Sequence, residues 1–502
     1  MASATILTGK AIRGCIGWIS CFTVLCVTGC YPVNDPLRKF DQNYGYRFKN
    51  LTETDAQVNS DKNFVVLTFS GGGTRAAAFA YGVLEELKAT RIGEGRTLLD
   101  EVDVISSVSG GSFAAAYYGL FGPDVFFTEF PNAVLYRKIE RDLILRLLAP
   151  WNWPKLLSPL YGRSDLAQEY YDNHIFQHRT FVQLPHKRPF IILNSTDISR
   201  GAQMSFTQED FDRICSDLSS VSVARGVVAS SAFPVAFTPV TLKNYGQTAC
   251  GYDQVAEDQA NLDVNPQLYD LARTWRSYES TELRPYIHLS DGGLSDNIGL
   301  RAIETRIAVT DFLGVNDKLG RGSSEIERVV FIVVDAKPES EPRADQWARP
   351  PGIVTVLNAA GTNPMENYSS DTVERIRLWF KEWDRAALSF NFRREKCDVL
   401  ATELCLTSEG RSECEVERRN QCYNALHASE RYRPSHPGLY LIHVRFESIP
   451  DEAAKRQLKG IGTRLQLSKE EVNALIFWAR RLLRNAPRYR DLLQDLGSPA
   501  PN

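Results

Sequence analysis

The sequence predicts an α/β fold built on a central, mostly parallel sheet flanked by helical layers. Three observations carry that expectation. Short apolar runs such as Phe64-Val65-Val66-Leu67-Thr68-Phe69 have the length and continuity of strands buried on both faces. Such runs alternate along the chain with longer helical stretches. Twice, a strand run also breaks into a small-residue turn that opens a helix. One is Ser70-Gly71-Gly72-Gly73 before Thr74–Ala89, and the other is Ser107 to Gly111 before Phe113–Leu120. Ligands of open α/β sheets gather at the carboxyl ends of strands, which is where both turns fall.

With 502 residues, 43% hydrophobic and 24% charged, the chain has globular composition and enough length for one elaborated domain or two. A net charge of −3 with no long basic run argues against a general nucleic-acid binder. No apolar stretch reaches the roughly 18 to 20 residues of a membrane-spanning helix.

Taken in order, the chain opens with a targeting pattern. Lys10 and Arg13 precede an apolar segment, residues 14–27, whose length suits a signal peptide. It ends in Val27-Thr28-Gly29-Cys30, which resembles the lipobox of bacterial lipoproteins. That resemblance implies removal of residues 1–29, acylation of Cys30 and a lipid anchor in the cell envelope. Tyr31 in the next position implies the periplasmic face of the outer membrane. Residues 30–61 are polar and turn-rich and read as a tether. The main domain is expected over 62–340, with further strands at Phe190–Asn194, Tyr286–Leu289 and Val329–Asp335. Within it, 123–184 is an aromatic-rich helical insertion. There, Val134–Leu148 mixes Arg and Lys with Leu and Ile, a pattern that suits a membrane interface and better suits a surface helix packed on the core. Residues 341–502 form a C-terminal extension with a polar, Cys-rich insertion, in which the charged stretch from Cys397 to Cys422 is expected to bury little. It closes with a strand, Leu439–Phe446, and a helix opened by the capping box Ser468-x-x-Glu471, with Val472, Leu475, Ile476, Ala479 and Leu483 on one face.

Ten cysteines are present; three leave with the signal segment and Cys30 takes lipid. The remaining even set suits disulfides in an exported protein. Sequence proximity pairs Cys215 with Cys250, and Cys397, Cys405, Cys414 and Cys422 among themselves. Zinc is disfavoured because the last four lack a short C-x₂₋₄-C knuckle.

Three motifs carry chemistry. Ser109, in Ser107-Val108-Ser109-Gly110-Gly111, follows a strand and precedes a helix, as an exposed nucleophile on a sharp turn requires. Gly71-Gly72-Gly73-Thr74-Arg75 presents backbone N–H groups at a helix start, suited to an anion or a tetrahedral oxyanion. It fits neither the dinucleotide nor the Walker pattern. Asp291, in Ser290-Asp291-Gly292-Gly293, ends a strand on a glycine turn and can project as a base.

In this order the motifs resemble the patatin-like phospholipases. Ala229-Ser230-Ser231-Ala232-Phe233-Pro234, Asn194–Asp197 and Asp291-Gly292-Gly293-Leu294-Ser295-Asp296-Asn297 extend the likeness over roughly 62–340. Ser70, Ala76 and Ser107 depart from the residues common in that family, and none removes a catalytic atom. The resemblance implies a three-layer patatin-like fold and a Ser109/Asp291 dyad, with no cofactor and no metal. It further implies an oxyanion hole from Gly71, Gly72, Gly73 and Gly110, and hydrolysis of phospholipid or lysophospholipid acyl esters. Arg75 is expected either to hold a substrate phosphate or to brace the loop. Two alternatives stay open: a conventional Ser-His-Asp esterase or thioesterase using His427, His436 or His443, and a lipid-binding envelope lipoprotein without turnover. His174 and His178 read as surface residues, since no acidic third ligand accompanies them.

Overall fold

The run Asn63–Phe69 forms strand β1, and every residue in it is buried. A strand so placed needs a partner on each edge. It pairs in parallel with β2 (Val102–Val108) on one side and β7 (Arg328–Asp335) on the other. The protein, described here by a computed structural model, is defined over residues 34–48, 59–60, 62–93, 95–185, 187–234, 236–252, 266–310, 326–338, 348, 350, 352–406, 411–429 and 438–498. The strands β3 (Phe190–Asp197), β4 (Ala202–Ser205), β5 (Val240–Lys243), β6 (Tyr286–Asp291) and β8 (Gly438–Arg445) complete one sheet. Its order is β5-β6-β3-β2-β1-β7-β8, with β4 on β3. The ladders from β3 through β8 are parallel; those of β4, β5 and β6 are antiparallel.

Register creates the opening that becomes the site. β2 stops at Val108, opposite Asn194, while β3 runs on to Asp197. On the other edge of β3, antiparallel β6 descends until Asp291 stands opposite Ser195. The ends of β2 and β6 therefore converge across one strand.

Helices cover both faces. α1 (Gly73–Ala89) is Ala-rich and almost wholly buried. α2 (Gly110–Phe130) bends at Gly122-Pro123, where Gly122 has φ 75°. The insertion that follows is helical as expected, but the Val134–Leu148 pattern does not form one helix. A π-turn over Pro131–Leu135 is separated from α3 (Ile139–Leu148), and short α4 (Trp153–Leu156) and α5 (Arg163–Tyr171) come next. α6 (Gln208–Asp212), α7 (Val223–Ser231), α8 (Pro266–Arg276) and α9 (Arg301–Thr310) connect the later strands.

The polar insertion is a helical hairpin. α10 (Ile353–Leu404) is 52 residues long, about 78 Å at 1.5 Å per residue. α11 (Arg411–Ser429) returns along it, clamped by Cys397–Cys422 and Cys405–Cys414. Among the described residues of 397–422 only Cys397, Ala401 and Cys405 are buried, as expected of that stretch, but the middle of α10 packs on the core. Val373, Ile376 and Phe380 join the main core, Phe380 meets Phe331 edge-on at 5.4 Å, and Arg375 pairs with Glu304 at 2.6 Å.

Two segments set apart in the sequence reading belong to the body. Residues 34–48 are no loose tether. Leu37 N–H donates to the Cys215 carbonyl at 2.7 Å, Tyr46 stacks on Phe190 at 4.4 Å, and buried Arg47 pairs with Asp212 at 2.6 Å. Polar composition concealed this, because the buried polar groups are satisfied by partners far along the chain. Cys215–Cys250 lies beside this strap. Residues 1–33, including the signal segment and Cys30, lie outside the described residues. At the other end, β8 is a full parallel strand of the sheet, followed by α12 (Glu452–Lys459), α13 (Lys469–Asn485) and α14 (Pro487–Asp495). The capping box at Ser468 and Glu471 forms, and Val472, Leu475, Ala479 and Leu483 are buried. α13 packs so closely on α1 that a Cβ on Gly82 would lie 2.6 Å from the Ile476 carbonyl oxygen. Buried Glu86 binds Arg480 and Arg484 across the same contact. A boundary at 340/341 therefore cuts through one core.

Candidate active site

Ser109 follows β2 with φ 51° and ψ −120°, a conformation that L residues avoid and that active sites retain. The surroundings hold it there. Its N–H donates to the carbonyl and to the Oγ of Ser230, at 3.1 and 2.9 Å. Ser230 Oγ bonds Ser112 Oγ at 2.9 Å, and Ser112 Oγ bonds Ser107 Oγ at 3.1 Å. Ser107, where glycine is usual in such elbows, donates to the Ile192 carbonyl and so anchors this hydroxyl chain to β3. The glycines permit the turn to close. A Cβ on Gly111 would lie 2.7 Å from the Phe69 Cβ.

Asp291 is brought to Ser109 by the descent of β6. Its N–H donates to the Ala232 carbonyl at 3.1 Å, its carboxylate accepts the Gly293 N–H at 2.8 Å, and the Ser109 side chain is near enough to favour the charged form. Ser290 Oγ also donates to the Ala232 carbonyl. The C-terminal end of α7 thus holds both residues, Ser109 through Ser230 and Asp291 through Ala232. Burial pushes the Asp291 carboxyl up to about 6, and these two polar neighbours only partly offset this. A carboxylate so destabilised is a better proton acceptor than one in water.

The glycine loop lies against the elbow. A Cβ on Gly110 would fall 2.0 Å from the Gly73 carbonyl oxygen, so the two backbones touch. Gly72 and Gly73 have φ 138° and 59°. Among the described residues, the N–H groups of Gly72, Gly73 and Gly110 have no hydrogen-bond acceptor. Gly71 differs: its N–H donates to the Asn297 carbonyl at 2.9 Å, so it is not free to hold an oxyanion. It acts instead as a close-approach residue, since a Cβ there would lie 2.3 Å from Asn297 Oδ1 and 3.3 Å from the Ser109 Cβ.

Residues 67–303 match the family model described as Patatin-like phospholipase. That stretch is similar to the domain of that family. Among solved structures, human GIVD cytosolic phospholipase A2 aligns at 13% identity over 62% of this chain and 50% of that one, with a TM-score of 0.32. The alignment therefore spans half the length of that protein. No curated protein matches the chain.

The glycine loop is completed by chain beyond the matched residues. Thr74 N–H donates to the Arg464 carbonyl at 2.8 Å, and a Cβ on Gly73 would lie 2.3 Å from that oxygen. Arg75 settles into the same layer. It is buried, donating through Nε to the Ala336 carbonyl at 2.8 Å, through Nη1 to the Ile461 carbonyl and through Nη2 to Thr463 Oγ1. Three of its five N–H donors go to these groups with the side chain buried, an arrangement that suits the loop brace of the two expectations. Burial lowers it to about 10. Ser70, where aspartate is common, accepts the Ala336 N–H at 2.9 Å and ties the loop to the end of β7.

Among the described residues, no histidine side chain is seen in contact with Ser109. His443 faces Asp335 at 3.4 Å on β8, three strands from β2 and so about 14 Å away at the usual strand spacing. His436 and the side chain of His427 lie outside the described residues. His174 and His178 bond Arg146 and Asn173. Among the described residues, no group of three or more His, Cys, Asp and Glu could hold a metal.

In the sequence, Ser230, Ala232 and Asn297 stand only as motif letters with no role of their own. Ser230 and Ala232 aim the pair, and Asn297 holds Gly71. Their signal was the small-residue block itself, which only a backbone under close approach requires. Arg464 carried no signal, because its contribution is a carbonyl oxygen.

Proposed function

We propose that the protein is a serine acyl hydrolase that cleaves fatty acyl esters of phospholipids or lysophospholipids. One observation carries the reading: the strained Ser109 side chain neighbours a buried, basicity-raised Asp291, beside N–H groups that have no acceptor among the described residues. In the first half-reaction, Ser109 Oγ attacks the ester carbonyl carbon and its proton passes to the Asp291 carboxylate. The oxyanion accepts from Gly72, Gly73 and Gly110, the free donors of the loop. Collapse expels the alcohol, which takes the proton from Asp291, and leaves an acyl-Ser109 ester. Water then attacks that ester while Asp291 takes its proton, and the fatty acid leaves as Ser109 is restored. No step needs a cofactor.

The lipobox-like Val27-Thr28-Gly29-Cys30 supports an extension of this reading. The protein is a lipoprotein acylated on Cys30, held at the periplasmic face of a bacterial outer membrane and so kept beside its substrate. Mass spectrometry of the N-terminus tests the anchor, and a chain beginning anywhere but an acylated Cys30 overturns it. The hydrolase reading is tested by profiling fatty acids released from phospholipid by wild type and Ser109→Ala. Fluorophosphonate labelling at Ser109 separates an enzyme from a lipid-binding protein that has lost turnover.

A further inference from the structure

Residues 139–163 make an arch whose outer face is apolar and open to solvent. Leu148, Trp151 and Leu157 are 64%, 78% and 84% exposed, and Leu145, Trp153 and Leu160 stand beside them along the same stretch. Elsewhere in the main body, exposed apolar residues are mostly scattered singly, which needs no explanation. Trp151 and Trp153 are also the only strongly exposed tryptophans among the described residues. The arch is nonetheless a held structure. Ile139 is buried, Leu143 packs on the core, and Tyr170 donates to Asp142 at 2.7 Å. Its apolar groups are presented to solvent by a fixed backbone.

Charge distinguishes the arch again. Residues 138–163 carry five Lys and Arg against two acids, in a protein whose net charge is −3. Both acids have partners within the fold: Asp142 accepts from Tyr170 and Glu140 from the Leu465 N–H. Lys138 and Arg141 are exposed. Cations around exposed Leu and Trp form the composition of a segment lying in a lipid–water interface, where indole rings settle at headgroup depth.

Each end of the arch is tied to a segment that builds the site. Glu140 bonds Leu465, whose neighbour Arg464 accepts the Thr74 N–H beside the glycine loop. At the other end, Ser164 N–H donates to Thr238 Oγ1 at 3.2 Å, six residues beyond the Ala232 that holds Asp291. The arch thus spans from the oxyanion side of the site to the side that aims the dyad.

We infer that the 139–163 arch is a docking face for the surface of an anionic phospholipid bilayer, seating the site at the lipid from which its substrate is drawn. This rests on the acyl-hydrolase reading for the identity of the substrate, though the docking itself does not require turnover. The experiment uses the full chain with Ser109→Ala, to prevent hydrolysis, and phosphatidylglycerol/phosphatidylethanolamine vesicles with brominated acyl chains. Bromine quenches tryptophan only at close range. The expected result is strong quenching that falls to about half or less when Trp151→Phe and Trp153→Phe are combined, since interfacial tryptophans sit within reach of the chains. Leu148→Ser with Leu157→Ser is expected to weaken vesicle partitioning about tenfold, and Lys138→Gln with Arg141→Gln to weaken it for anionic but not for phosphatidylcholine vesicles. Equal quenching with and without the two tryptophans overturns the proposal. So does a dimer in solution that the Leu148→Ser/Leu157→Ser change dissociates without altering vesicle binding. With Ser109 restored, that double variant should hydrolyse a water-soluble short-chain ester within about twofold of the parent, because it touches no group of the dyad or oxyanion loop. If the parent itself fails on that ester while the quenching difference holds, the hydrolase reading falls and the docking face stands.

Discussion

The strand-end turns and the 139–163 arch lie at opposite poles of what a protein does with polar and apolar groups. In the turns, hydroxyls, carbonyls and one carboxylate are buried and partnered, and among the described residues the N–H groups of Gly72, Gly73 and Gly110 have no acceptor. Ser109 has φ 51° and still sits in place because Ser230, Ser112 and Ser107 bond in series beneath it. In the arch, Leu148, Trp151 and Leu157 stand in water on a backbone anchored by Ile139 and Leu143. The first arrangement is complete within the chain and suits a reaction that must find its dipoles already oriented. The second is incomplete within the chain and is satisfied only by an apolar partner. The difference separates chemistry from access: substitutions in the turns should act on turnover of any ester, and those in the arch only on ester presented in a bilayer.

The largest expected effect is at Ser109, the proposed nucleophile. Ser109→Ala should lower kcat/KM on both soluble and vesicle substrates by on the order of 10⁴-fold, while vesicle partitioning stays unchanged. Residual activity above about a tenth of wild type would remove Ser109 from the mechanism and with it the sharpness of the contrast.

Next is the contact between the turns. Gly110→Ala places a methyl 2.0 Å from the Gly73 carbonyl oxygen, which is backbone and cannot swing aside. The loop must shift, so kcat/KM should drop by about 10²-fold or more through misplaced donors. A steady-state assay beside a thermal melt checks it; wild-type turnover would mean the two turns are less tightly fitted than their geometry states.

The third prediction concerns pH. Because the Asp291 carboxyl sits at about 6 in the folded protein and must be ionised to accept a proton, the acid limb of kcat/KM should have its midpoint near there. The same shift has a stability consequence of opposite sense. A carboxyl raised on folding holds its proton more tightly in the native state, so its contribution is favourable below the unfolded value near 3.8 and is lost as pH rises through about 6. Asp291→Asn, which removes the ionising group, should therefore stabilise the protein at pH 8 by on the order of 3 kcal/mol relative to the same comparison at pH 4. Chemical denaturation at the two pH values reads the difference, and inactivity with no pH-dependent gain would show that burial does not raise this carboxyl. No such cost is expected at the arch, which buries no unpaired charge.

The smallest effect on turnover is expected at the disulfides of the helical hairpin. Removing Cys397–Cys422 opens a closure of 25 residues, worth about 3.5 kcal/mol in the chain-entropy model. The hairpin end lies far along α10 from Val373 and Phe380, where that helix meets the core. Hydrogen exchange in α11 should accelerate while soluble-ester kcat/KM stays within about twofold. A large loss of activity would mean the hairpin, and not only the turns, positions the dyad.

Much of this was legible in the sequence for a physical reason. Apolar continuity in Phe64–Phe69 and Val329–Asp335 specifies strands buried on both faces, and small residues after a strand specify a backbone under close approach. The capping box at Ser468 and the pairing of Cys215 with Cys250 were equally local, and both formed. Local pattern failed wherever a polar segment was satisfied at long range. Residues 34–48 looked like a tether because their partners, Cys215, Asp212 and Phe190, lie well over a hundred residues away. Arg75 was ambiguous for the same reason: a guanidinium beside a glycine loop can face a phosphate or a carbonyl, and only the return of residues 461–463 decides it. The Val134–Leu148 pattern could not say how much of its apolar side the core would take.

By itself, then, the sequence determined which strands are central, where the chain must turn tightly and which serine and aspartate sit on those turns, since each follows from side-chain size and polarity among near neighbours. The tertiary structure alone decided that β6 runs antiparallel and carries Asp291 across β3 to Ser109, and that Gly71 spends its N–H on Asn297 while Gly72, Gly73 and Gly110 keep theirs. It also decided that β8 and α13 close the same core and that the arch faces water. These depend on which distant backbone groups meet, and backbone N–H and C=O groups are the same in every residue except proline, so no side-chain pattern records where they pair.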